Sequence, residues 1–199
     1  DNVRLVATPH QSVTISTLSP SVELTARTET VATSVKAQAN VNRYSGDSDL
    51  NATDLVLDAS MSKASERNEL LMRAAFVRDS TLASELNQTG VVQANRQRSR
   101  ASVQPSWTSR LTERASLELG FDFAQVTYAD AAGTGLTDYR TETPYGVFSY
   151  RLSERSTLLS SSGVSRLIRK ASAGTIQNTY AQAVLEHDLS ESLKAKVGV

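Results

Sequence analysis

The sequence has no cysteine, so neither disulfides nor thiolate metal sites are available to it. It has no apolar run approaching the roughly 20 residues that a membrane helix needs, and any membrane crossing has to be made by strands. Aromatic residues make up only 6% of the 199 positions and all hydrophobic residues only 39%, a thin supply for a globular core. Neither charge sign is in excess, with 21 Lys and Arg against 21 Asp and Glu; with this balance and no basic patch interleaved with aromatics, a nucleic-acid partner is not expected. Histidine occurs twice, at His10 and His187. No basic, apolar leader precedes Asp1, and an export signal is expected to have been cleaved or to lie outside this sequence.

What is present is periodic. RTETVA, KASERNEL, RLTERASL, RLSERSTL and DLSESLKA are variants of one segment centred on Glu29, Glu66, Glu113, Glu154 and Glu191, at spacings of 37, 47, 41 and 37 residues. Each interval fits two long strands and one outer loop, so every copy marks the same tight turn. Ser or Thr hydrogen-bonds its own backbone neighbours and reverses the chain cheaply. Longer polar connections fall between the copies, at residues 45–53, about 80–93, 129–138 and 171–177. Short turns at one end and longer loops at the other are the topology of a transmembrane barrel.

The intervening segments alternate with period two. Leu117, Leu119, Phe121 and Phe123 are interleaved with Ser116, Glu118, Gly120 and Asp122, and the same grammar holds over 31–41, 101–111 and 193–199. Residues 54–63 change parity near their turn, which a bulge would repair, and 156–169 is serine-rich on both faces. Tyr44, Tyr128, Tyr139 and Tyr180 are expected beside the long loops, with Trp107 and Tyr150 before the short turns, as two interfacial girdles.

DNVRL, TLSPSVELTARTET, RDSTLASEL, QPSWTSRLTERASLELGFDF and YRLSERSTL together resemble the outer-membrane β-barrel proteins of Gram-negative bacteria, some of which accompany exopolysaccharide-export loci. The resemblance implies an all-β, up-and-down antiparallel barrel in the bacterial outer membrane, in contact with lipid and lipopolysaccharide. It supplies no biochemical activity. About eleven strands are expected, and residues 1–199 read as one barrel domain that is a fragment of a larger barrel, since bacterial barrels close with an even strand number.

Candidate chemistry is sparse. His187, Asp188 and Ser190 suggest a hydrolytic triad, but neighbours on a strand point to opposite faces, so no enzymatic activity is expected. Asp47, Asp49, Asn51 and Asp58 partly match a calcium loop, but Ala52 stands where glycine is required; a solvated acidic loop is the expectation, with no metal or other cofactor. Asn51-Ala-Thr53 and Asn87-Gln-Thr89 are formal glycosylation acceptors that matter only in a eukaryotic secretory setting. Arg96, Arg98 and Arg100, with Arg73 on the preceding strand, form the one conspicuous basic cluster. Arg96, Arg98, Arg100 and Arg110 share a parity and are expected to face the lumen, the first three in an outer vestibule suited to an anionic solute or acidic polysaccharide.

The leading expectation is a channel or export-associated porin-like barrel. Its competitors are a structural or partner-binding barrel with a plugged lumen, and a soluble or extracellular β-protein that self-assembles through its strand edges.

Overall fold

The computed structural model describes residues 14–45, 51–81, 96–130, 132–170, 174–190 and 193–199. Within them lie eleven antiparallel strands: β1 (Ile15–Leu18), β2 (Ser21–Arg27), β3 (Val31–Tyr44), β4 (Ala52–Ala64), β5 (Asn68–Ser80), β6 (Gln97–Arg110), β7 (Ala115–Tyr128), β8 (Tyr139–Arg151), β9 (Ser156–Arg169), β10 (Thr175–Asp188) and β11 (Lys194–Gly198). From β3 onward each strand pairs with the next. Both β1 and β2 pair with β3 in one register, Leu18 opposite Val41 and Ser21 opposite Gln38. They are two halves of one strand, interrupted at Ser19-Pro20, where proline has no N–H to give but its carbonyl still accepts from Ala39 at 3.0 Å. The first and last strands do not pair, so the described residues form an open wall.

The segments around Glu29, Glu66, Glu113 and Glu154 form the tight turns, and in the first three the hydroxyl residue before the glutamate closes the turn. In the turn around Glu113, the Thr112 N–H donates to the Ala115 carbonyl at 3.2 Å and the Ala115 N–H donates back to the Thr112 hydroxyl oxygen at 3.0 Å. Thr28 with Val31 and Ser65 with Asn68 repeat the exchange. The side-chain oxygen takes an N–H that a two-residue connection would otherwise leave without an acceptor. Successive turns are laced side by side: Ala64 donates to Thr30, Arg110 to Arg67, Arg151 to Arg114 and Asp188 to Arg155, each at 2.8 Å. Glu29, Glu66, Glu113 and Glu154 therefore share one end, while Ala132 and Gly174 lie in connections at the other; Glu191 and Asp49 lie outside the described residues.

No bulge is present in β4. Its register runs without a shift from Asn42–Ala52 to Val31–Lys63, so Leu55, Leu57, Ala59 and Met61 keep one face throughout. The apparent parity change comes from Val56, an apolar residue on the polar face. Pro105 and Pro144 each interrupt a strand ladder for two positions, and the register resumes unshifted on the far side.

Register divides the side chains into two sets. Val22, Leu24, Val35, Leu57, Leu70, Met72, Trp107, Leu119, Phe121, Phe148 and Leu185 share one face and are all exposed. Among the described residues only Val126 is a buried hydrophobic side chain. A soluble sheet has to bury its apolar face against another layer. This wall has one layer and leaves its apolar face uncovered, an arrangement suited to contact with lipid.

Candidate functional site on the polar face of the wall

The apolar band is slanted with respect to the strand ladder. Following cross-strand partners from Leu57 gives Phe76, Ala101, Gln125, Arg140, Ile168 and Thr175, a row that begins apolar and ends polar. On β10 the apolar stretch is Ala181, Ala183 and Leu185, nearer the short turns. Such a slant is what tilted strands produce. It also accounts for the Arg140–Glu142 ion pair (3.1 Å) on the outer face of β8, which falls beyond the band on the long-loop side.

The same slant defines mid-depth on the polar face. At that level lie Lys36 on β3, Asp58 on β4, Arg73 on β5 and Gln104 on β6, with Glu23 beside Lys36. Lys36 is the cross-strand partner of both Glu23 and Asp58, giving alternating charge along one row, and a groove lined by these residues, Arg73 and Gln104 runs between them. None of Glu23, Lys36, Asp58 and Arg73 is ion-paired among the described residues, so their field is open to solute.

Farther along the wall the polar face changes character. Gly120, Tyr145, Gly163 and Tyr180 are successive partners across β7, β8, β9 and β10. A Cβ on Gly120 would collide with the Tyr145 ring, and one on Gly163 would lie 2.7 Å from three atoms of Tyr180. Each ring is folded down over the neighbouring strand, in the space that glycine leaves. The Tyr145 hydroxyl donates to Glu118 at 3.1 Å. This pattern depends on cross-strand register, so the sequence alone did not display it. The spacing of Gly120, Tyr145, Gly163 and Tyr180 is the one signal that was available, once each strand is paired by its turn.

The tyrosine girdle at the long loops is not formed. Register puts Tyr44, Tyr128 and Tyr139 on the polar face, and Tyr180 lies well inside β10 on that face. Trp107 and Tyr150 do lie on the apolar face toward the short turns, with Tyr150 stacked on Phe148 at 6.4 Å.

The arginines divide. Arg98 and Arg100 lie on the polar face near the long loops, adjoining Arg96, and Arg110 is on that face at the opposite end of β6, roughly 33–40 Å away along the strand. Arg98 is held by Asp79 through two hydrogen bonds, of 3.0 and 2.6 Å. Arg100 stands between Val77 and Val126 with no ion pair among the described residues. Arg73 belongs to the mid-depth charges, since its partner is Gln104. His187 Nδ1 lies 2.8 Å from the Ser156 hydroxyl on the outer face, while Asp188 points to the other face and pairs with Lys194 at 3.2 Å, so the triad does not assemble. His10 lies outside the described residues. Asn51 accepts the Tyr44 N–H at 2.8 Å and Asp58 sits mid-strand, which separates two members of the supposed calcium loop; Asp47 and Asp49 lie outside the described residues.

No family model matches the sequence, and no curated protein matches it. Among solved structures, the whole chain superposes on the outer membrane channel DcaP of Acinetobacter baumannii with a TM-score of 0.65 and 11% identity, covering 56% of that chain. The Pseudomonas putida toluene transporter TodX aligns over 94% of this chain and 71% of its own, at 12% identity and a TM-score of 0.41. The chain therefore spans little more than half the length of the channel it follows, and what it shares with DcaP is the fold: the all-β, up-and-down wall of an outer-membrane barrel.

Proposed function

We propose that this chain forms part of the wall of an outer-membrane channel through which water-soluble solutes pass. The observation that carries the reading is the division of a one-layered sheet into an exposed apolar face and a polar face whose mid-depth charges have no ion pair among the described residues. Short turns then face the periplasm and long loops the exterior. The likeness in fold to an outer membrane channel supports the same reading.

At the long-loop mouth the anion contact belongs chiefly to Arg100, because Asp79 neutralises Arg98, and Arg110 is at the other mouth. A role in export of an acidic polysaccharide is the finer reading; its support is the resemblance of the turn segments together with these arginines. Reconstitution into planar bilayers tests the channel. Stepwise conductance is the expected result, and an intact, membrane-inserted barrel that passes no current would replace the channel with a plugged, partner-binding barrel.

A further inference from the structure

We infer that Tyr145 and Tyr180 form a stacking platform for the sugar rings of a neutral oligosaccharide on the polar face of the wall. The inference rests on the reading that the polar face lines a water-filled pore. The rings occupy alternate strands of one ladder row, so their attachment points are about 10 Å apart. Both lean over a glycine, in the same direction, which sets each ring along the wall rather than across the lumen. Tyr180 is still 39% exposed, so aromatic surface is left open on the polar face.

A pyranose has an apolar C–H face and a rim of hydroxyls. Aromatic faces accept the first, and the surroundings of these rings accept the second. Glu118 and Asp122 flank Gly120 on β7, Asn178 and Gln182 flank Tyr180 on β10, and Thr143 and Ser165 lie one ladder row away, joined at 3.2 Å. All six share the face of the rings. The ring spacing is comparable with a disaccharide repeat, so a linear oligosaccharide lying across the strands can meet both rings together. Short aliphatic solutes would gain little from such a surface, and anions are disfavoured by Glu118 and Asp122.

The test is equilibrium binding of maltohexaose to the full chain in detergent micelles, by calorimetry, alongside sugar block of current in bilayers. Wild type is expected to bind. Tyr145→Leu/Tyr180→Leu should weaken binding by about tenfold or more, and Tyr145→Phe/Tyr180→Phe, which keeps both ring faces, should stay near wild type. If the double leucine variant does not fold, Tyr180→Leu alone takes its place, because the Tyr180 hydroxyl makes no hydrogen bond among the described residues. A wild-type channel that conducts but does not bind maltohexaose overturns the platform, as does a leucine variant that binds as tightly as wild type. Binding without conductance overturns the channel and leaves the platform standing.

Discussion

At the scale of single residues, the wall is specified by what each side chain meets across the strand gap. Gly163 leaves room that the Tyr180 ring fills, and a methyl group there would lie 2.7 Å from the ring. The ring end is movable and the backbone is not, so Gly163→Ala should lift the ring into the lumen. Folding, read as a heat-dependent gel shift, is expected to survive, and single-channel conductance to fall measurably. Unchanged conductance would mean that this part of the polar face is not in the ion path. The arginines give a second expectation. Arg100→Gln should shift the reversal potential under a salt gradient toward cations, whereas the double variant Arg98→Gln/Asp79→Asn, which removes a neutral pair, should leave it nearly unchanged. Equal shifts in the two variants would show that the selectivity of this mouth does not rest on Arg100.

At the scale of elements, the tight turns were legible because their chemistry is local. Thr112 serves an N–H three residues away, so the requirement for a hydroxyl is written into one short segment and recurs with it. Thr112→Ala should therefore cost about 1 kcal/mol in urea unfolding from micelles, the usual net value of one hydrogen bond; a loss near zero would assign the turn's stability to the backbone pair alone. The strand β7 was legible for a similar reason, since Leu117, Leu119, Phe121 and Phe123 carry the alternation without help. The strand β9 was not. Leu158, Val164 and Ile168 lie on its apolar face, but Leu159 and Leu167 lie on the other, so the faces of β9 are set by pairing with Phe148 and Tyr150 on β8 and with Leu185 on β10. The Tyr–Gly row and the Arg98–Asp79 pair escaped for the same reason: both exist only after two distant segments are put in register.

At the scale of the whole molecule, the slant of the apolar band measures the tilt of the strands. The apolar stretch Leu55–Met61 of β4 is centred on Leu57 and Ala59, whose ladder rows reach β10 at Thr175 and Gln177; the apolar stretch of β10 is centred on Ala183, six to eight residues farther along. Spread over six strand steps, that is about 4 Å of climb per 4.8 Å step, a tilt of roughly 40°, as membrane barrels require. Fluorophores at positions 57 and 183 should accordingly report the same bilayer depth with lipids brominated at defined carbons, and one at 175 should lie outside the hydrocarbon. Equal depths at 57 and 175 would mean untilted strands.

The central claim is that one face of this sheet meets lipid and the other meets water, and a fluorophore scan along residues 116–123 of the protein in liposomes tests it most directly. Brominated lipid should quench positions 117, 119, 121 and 123, and aqueous iodide the positions between them, in strict alternation. Reversing that register would set Glu118 and Asp122 against hydrocarbon, at a cost of up to a few kcal/mol each near the midplane. Quenching by bromolipid at 118, 120 and 122 in preference to 117, 119 and 121, or iodide quenching at every position alike, would contradict the account.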